Sequence, residues 1–168
     1  MTQAPSRRLL LEPGGLFITD TPARVKTVLG SCIAITIRAP KVGIAAISHC
    51  LLPRAGAPVA TLSRQEAARY VDATIHLMLA AFSQRGVRPN EMQVKLFGGA
   101  DTELASGYRV GTRNVEEALE GLAARGIVPA CQVVGGNCGR VIEFDTNTGD
   151  VFVKQLPPAR GGWIRQGS

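Results

Sequence analysis

Apolar residues recur at helical spacing in two stretches of the chain. In the first, Ala67, Val71, Ile75, Met78 and Phe82 fall on one face, Ser63 and Glu66 form a capping box ahead of them, and Gly86 stops the run. In the second, from about Thr112 to Arg125, Val115, Ala118, Leu119, Leu122 and Ala123 make one stripe that ends at Gly126. Short β-branched runs bounded by turn residues predict strands at 15–19, 33–38, 42–48, 93–97, 130–134, 140–145 and 150–154. Ala39-Pro40-Lys41 and Thr146-Asn147-Thr148-Gly149 join two pairs of these runs as hairpins, so antiparallel pairing contributes substantially. Strands at both ends of the chain, helices between them and no simple βαβ repetition predict an α+β class. The expected architecture is a single-domain layered α/β sandwich with mixed, largely antiparallel sheets and two main helices.

The ends interrupt this pattern. Residues 1–14, with Pro5, Pro13 and Gly14, and 157–168, with Pro157, Pro158, Gly161, Gly162 and Gly167, show no sustained period and are expected to be mobile, leaving 15–156 as the folded domain. The chain has 168 residues, 45% hydrophobic and 19% charged, a balance that excludes global disorder and fits one hydrophobic core. No apolar run approaches the roughly 18 residues needed to cross a bilayer, and Leu9 to Leu11 is too short for a signal-peptide core before Glu12 and Pro13. A cytoplasmic protein without membrane insertion is expected. The net charge of +6 is carried largely by Arg7, Arg8, Arg160 and Arg165 in end segments that hold no acidic residue. With aromatic residues only 5% of the chain, this charge does not read as a nucleic-acid surface and better suits an acidic protein partner.

Candidate chemistry centres on Cys32, where a Gly-Ser turn, Gly30-Ser31, enters an apolar strand. A cysteine nucleophile must be reachable yet rigidly held, and it needs a base or a positive neighbour. Taken alone, Cys32 better suits a small buried hydrophobe opening a core strand. Only two histidines are available as bases. His49 follows the 42–48 strand, and if 33–38 and 42–48 form a hairpin, Cys32 and His49 meet at the same end of it. His76 lies on the polar face of the first helix, four residues after Asp72, where an exposed pair is the simpler reading. Thr27 and Ser31 are near Cys32 in sequence and offer hydroxyls to orient an imidazole. Gly98-Gly99 and Gly135-Gly136 are turns whose N–H groups are candidates to face a developing oxyanion, or simply tight strand ends. Cys32, Cys50, Cys131 and Cys138 contain no CxxC, and His49 beside Cys50 would have to supply half of any zinc site. No phosphate-binding, dinucleotide-binding, zinc-protease or nucleophile-elbow motif appears.

Taken in order, these residues resemble a known family. Leu29-Gly30-Ser31-Cys32-Ile33-Ala34, Gly43-Ile44, Ser48-His49 with Leu52-Pro53, Arg69-Tyr70 with Asp72, Lys95-Leu96-Phe97-Gly98-Gly99-Ala100, Arg113-Asn114, Gly135-Gly136 with Gly139-Arg140, and Thr148-Gly149 before Val151 resemble CheD, the chemoreceptor glutamine deamidase family. The blocks run in order from about residue 16 to residue 154.

The resemblance implies a hydrolase that converts selected glutamine side chains of methyl-accepting chemotaxis receptors to glutamate. It implies a layered fold similar to the catalytic domain of cytotoxic necrotising factors, and CheC as a second partner besides the receptor cytoplasmic domains. Carried onto this chain, the nucleophile is Cys32, the base is His49, and Thr27 is the candidate third member. Gly30, Ser31, Gly98 and Gly99 are expected to bind substrate or oxyanion. No metal or organic cofactor is implied. Cys50 and Val134 depart from the family pattern, in which an aromatic or aliphatic residue follows the histidine and an acid precedes the Gly-Gly pair. The alternative is a catalytically weak CheD-like adaptor that binds chemoreceptors or CheC.

Overall fold

The computed structural model describes residues 6–101 and 107–157. Among these residues the strands are β1 (Arg7–Leu10), β2 (Leu16–Thr19), β3 (Ala23–Leu29), β4 (Ile33–Ala39), β5 (Ile44–Ser48), β6 (Gln93–Gly98), β7 (Cys131–Val134), β8 (Arg140–Asp145) and β9 (Val151–Gln155). The helices are α1 (Arg64–Ala67), α2 (Val71–Gln84) and α3 (Val110–Ala123). One sheet has the order β1-β3-β8-β9 and the other β2-β5-β4-β6-β7. The β1/β3 and β6/β7 pairs are parallel and the rest antiparallel, including the two expected hairpins β4–β5 and β8–β9.

Three layers follow from which face of each element is apolar. On β4, Ile33, Ile35 and Ile37 point to one side and pack with Ile75, Met78 and Phe82 of α2 and with Ala118 and Leu122 of α3. Ala34 points to the other side, into a core with Val25 and Leu29 of β3, Phe97 of β6 and Ile142 and Phe144 of β8. The five-stranded sheet is therefore the middle layer, between the helices and the four-stranded sheet. Phe82, Phe97 and Phe144 are fully buried, each stabilising the fold by about 2–3 kcal/mol through apolar area removed from water.

Two strands differ from the sequence reading. β3 was not expected, although Ala23, Val25, Thr27 and Leu29 alternate inward with Arg24, Lys26 and Val28 outward, the period of a half-buried strand. The expected mobile segment 1–14 contains β1, which pairs with β3, and the Leu11 N–H donates to the Lys26 carbonyl, so the ordered core begins before residue 15. Of the expected C-terminal tail, only Pro157 lies within the described residues.

The Ser63–Glu66 capping box is present, but it caps only the short α1, and a break at Ala68–Tyr70 separates it from α2. Main-chain bonds with the segment after β5 account for the break. Leu51 and Leu52 N–H groups donate to the Arg69 carbonyl, and the Val71 N–H donates to the Leu52 carbonyl. Those bonds tie the helical layer to the segment that carries His49.

Candidate active site

The turn at Gly30–Cys32 connects β3, in one sheet, to β4, in the other. Its three carbonyls are all engaged. The Ala100 N–H donates to Gly30, the Asn114 Nδ2 amide to Ser31, and the Gly99 N–H to Cys32, at 3.0, 2.9 and 2.8 Å. Half-buried Cys32 is thus anchored through its backbone, with its side chain against the inter-sheet core. Gly98 makes this approach possible. Its φ is +101°, and a Cβ there would lie 2.3 Å from the Cys32 carbonyl oxygen, whereas a Cβ on Gly30 would meet nothing within 4 Å. Gly98→Ala is therefore expected to lower the unfolding free energy by about 3 kcal/mol in urea titrations, from strain and forced displacement, with Gly30→Ala changing it far less.

β5 brings His49 to the same place. Ile33 and Cys50 exchange both main-chain bonds at 3.0 and 2.8 Å, continuing the β4–β5 register beyond the strands. Side chains alternate along each strand, so Cys32 and His49 share the face turned toward the four-stranded sheet, while Cys50 faces the helices. From β3, Thr27 reaches across: its Oγ1 lies 2.7 Å from His49 Nδ1 and 2.8 Å from the Leu11 carbonyl oxygen. The hydrogen count assigns the tautomer. A carbonyl only accepts, so the single Thr27 hydroxyl proton goes to Leu11 and Nδ1–H must donate to Oγ1. Nε2 is left as the unprotonated acceptor.

Burial sets the charge state. It lowers the His49 pKa to about 4, and it raises the Cys32 thiol above its ordinary value despite a hydrogen bond from the Cys32 backbone that favours the thiolate. At neutral pH the resting site is a neutral thiol beside a neutral imidazole. The structure therefore does not supply the ready-made thiolate that a lowered cysteine pKa would give.

The site residues named from sequence fall into two groups. Thr27 bonds to His49, Cys32 lies on the same sheet face without a hydrogen bond to His49 among the described residues, and Gly30 and Ser31 form the turn that carries Cys32. Gly98 and Gly99 act on the other side of that turn, where the Gly99 N–H is already committed to Cys32 and the Gly98 carbonyl accepts from Gly135 and Arg140. His76 is exposed on α2, and the expected pair with Asp72 is not made; Asp72 Oδ1 instead accepts from the Ala55 and Ala73 N–H groups. Cys50 is fully buried, its thiol pushed up to about 11 mainly by burial, which leaves it unreactive as a neutral packing group. Among the described residues no cluster of three or more His, Cys, Asp or Glu is placed to hold a metal ion.

Two buried polar residues were not singled out as site candidates. Arg140, at the start of β8, donates to the Gly98 carbonyl at 3.0 Å and the Gly135 carbonyl at 2.6 Å, joining the Gly98 and Gly135 turns. Asn114, on α3, donates through Nδ2 to the carbonyls of Ser31 and Leu51. Its position four residues before Ala118, on the stripe that continues to Leu122, was the sequence signal for its burial.

Comparison with known proteins extends the reading beyond geometry. Residues 51–155, more than half of the chain, match the family described as CheD chemotactic sensory transduction. A protein of Maridesulfovibrio salexigens named "Probable chemoreceptor glutamine deamidase CheD" is 40% identical, over 92% of this chain and 95% of its own length. One of Geobacter sulfurreducens, named "Probable chemoreceptor glutamine deamidase CheD 2", is 43% identical over 87% of this chain and 88% of its own. Among solved structures, YlmD from Geobacillus stearothermophilus is similar over 77% of this chain and 58% of that one, at 14% identity and a TM-score of 0.44. The family match over most of the chain, with relatives above 30% identity along nearly their full length, places this chain in the CheD family.

Proposed function

We propose that this chain is a protein-glutamine deamidase that converts selected glutamine side chains of methyl-accepting chemotaxis receptor cytoplasmic domains to glutamate, with Cys32 as nucleophile and His49 as base. The observation that carries the reading is the shared face of Cys32 and His49, with the Thr27 hydrogen bond leaving Nε2 free to accept a proton. Relatives named as chemoreceptor glutamine deamidases support the substrate class. Such a substrate places the protein in the cytoplasm, and CheC belongs to the same proposal as a binding partner with no part in the chemistry.

The chemistry follows from the neutral resting pair. When a glutamine side chain docks over the turn, His49 Nε2 takes the Cys32 proton as sulfur attacks the carboxamide carbon. The carbonyl π electrons move to oxygen, giving a tetrahedral oxyanion. Among the described residues no backbone carbonyl accepts from the Ser31 N–H, which remains as a donor for that oxyanion, whereas the Cys32 N–H is directed at its own sulfur. The imidazolium then protonates the departing amide nitrogen, the carbon–nitrogen bond breaks, and ammonia leaves a γ-glutamyl thioester. Water delivers a proton to Nε2 as it attacks the thioester. Cleavage of the carbon–sulfur bond releases glutamate and returns the proton to sulfur. A histidine with a pKa near 4 is a weak base but a strong acid once protonated, which favours expulsion of the poor amine leaving group.

Thr27 is a positioning residue in this scheme. Thr27→Val, which keeps the shape and removes the hydroxyl, leaves Nδ1–H without its partner and frees the ring to adopt the unproductive tautomer. Turnover is expected to fall by about 100-fold, whereas Thr27→Ser retains most of it. The overall reading is tested by incubating the protein with a chemoreceptor cytoplasmic fragment and mapping glutamine-to-glutamate conversion by peptide mass spectrometry. Conversion at defined glutamines is expected. Binding of the fragment without conversion would replace the enzyme with an adaptor.

A further inference from the structure

We propose that Asn114 is the positioning residue that holds the nucleophile turn and the base segment at their working separation; the inference rests on Cys32 and His49 being the reacting pair. Asn114 is fully buried on α3, and its single amide group donates both protons, one to the Ser31 carbonyl at 2.9 Å and one to the Leu51 carbonyl at 3.1 Å. Ser31 immediately precedes the nucleophile, and Leu51 lies two residues beyond the base. One side chain thus bridges the two segments that flank the β4–β5 hairpin at its open end.

The bridge is useful only if α3 is itself fixed, and close packing at the helix start fixes it. A Cβ on Gly111 would lie 2.4 Å from the Ala100 carbonyl oxygen and 2.5 Å from that of Gly99, and one on Gly99 would lie 2.4 Å from Val115 Cγ2. Asp101 accepts from the Thr112 N–H at 3.3 Å and from the Thr112 hydroxyl. The first turns of α3 are therefore locked to the Gly98–Asp101 segment, which also donates to the carbonyls of Gly30 and Cys32. Three successive carbonyls around the nucleophile accept from one rigid unit, and Asn114 extends that unit to the His49 side by main-chain carbonyl bonds, with exposed Arg54 pairing to Glu117 of α3 farther along the same segment.

The remaining atom of the group points the same way. Asn114 Oδ1 is buried and has no hydrogen-bond partner among the described residues. The reversed amide would set Oδ1 against two carbonyl oxygens, so the observed orientation is the one the two segments require. A buried acceptor without a donor costs folding free energy, and the same amide offsets it by satisfying the Ser31 and Leu51 carbonyls. What the amide contributes is the geometry of two carbonyls beside the reacting groups.

The test uses Asn114→Leu and Asn114→Asp, both close in volume to asparagine, in the full chain. Two readouts are taken per folded molecule, with folding followed by near-ultraviolet circular dichroism. They are kcat and KM for deamidation of a receptor cytoplasmic fragment, and the rate of Cys32 alkylation by iodoacetamide across pH. In both variants kcat is expected to fall about 100-fold with KM little changed, because a displacement near 1 Å separates thiol and imidazole without touching substrate contacts. The alkylation profile is expected to move as Cys32 leaves its hydrogen-bonded turn. Parent-like kcat per folded molecule, or a loss confined to KM or to the folded fraction, overturns the proposal. If the parent itself converts no glutamine, the deamidase reading fails separately and alkylation still decides: identical profiles in parent and variants overturn the role of Asn114.

Discussion

Cys32→Ala is expected to abolish receptor deamidation, lowering turnover by about a millionfold, the loss seen when the nucleophile of a concerted catalytic group is removed. In the proposed mechanism every step after docking passes through a bond to Cys32 sulfur. Cys50 is nearest in sequence to the base but faces the helices, with a thiol pushed up to about 11. Cys32→Ser is expected not to rescue the reaction either. Its hydroxyl is far more basic as an alkoxide than a thiolate, and His49, with a pKa of about 4, is too weak a base to deprotonate it. The fold should survive, because Cys32 is held through its carbonyl by the Gly99 N–H and its side chain is only half-buried. Peptide mass spectrometry on a receptor fragment, with parent and variant side by side, measures the effect. Conversion by Cys32→Ala at the parent rate would remove Cys32 from the mechanism.

His49→Gln is the second large effect, with an expected loss of about 10⁴-fold, the upper range for a positioned acid–base group. Glutamine can keep a bond to Thr27 but cannot carry a proton from sulfur to nitrogen. The same histidine sets two pH dependences in the parent. The proposed mechanism needs neutral His49, so kcat/KM should fall on the acid side near pH 4 and not near 6.5, the ordinary value for histidine. Stability follows from the same shift. Below pH 6.5 the unfolded chain takes up a proton that the native site refuses until about pH 4, so the unfolding free energy declines as pH falls through that window. The full decline from His49 is about 3 kcal/mol. Urea titrations between pH 7 and pH 4 should show this component in the parent and lack it in His49→Gln.

Much of the fold was legible locally. The hairpins β4–β5 and β8–β9 and the helices α2 and α3 are carried by period-2 and period-3.6 patterns with turn and stop residues between them. β3 was legible too, in the alternation from Ala23 to Leu29, but Arg24 and Lys26 make it resemble a polar connector until another sheet is known to cover its inner face. β1 was not legible. Four residues with two arginines become a strand only because the edge of β3 is free to accept them. The split between α1 and α2 belongs with β1. The capping box is a local signal, but what ends α1 is pairing with Leu51 and Leu52, segments distant in sequence.

The sequence by itself determined the cysteine, the histidine and the hairpin that brings them to one end, because a short antiparallel connection aligns residues that are already close along the chain. It also pointed to Thr27 by resemblance. Only the tertiary structure decided what these groups are to one another. The tautomer of His49 depends on the Leu11 carbonyl, in a different strand environment, taking the Thr27 proton. The neutral thiol and imidazole depend on two sheets closing over them and excluding water. The bridge from Asn114 to Ser31 and Leu51 depends on a helix that begins some sixty residues after the base and returns to it through packing alone. Charge state, proton position and separation are properties of contacts between distant segments, and local sequence pattern does not encode them.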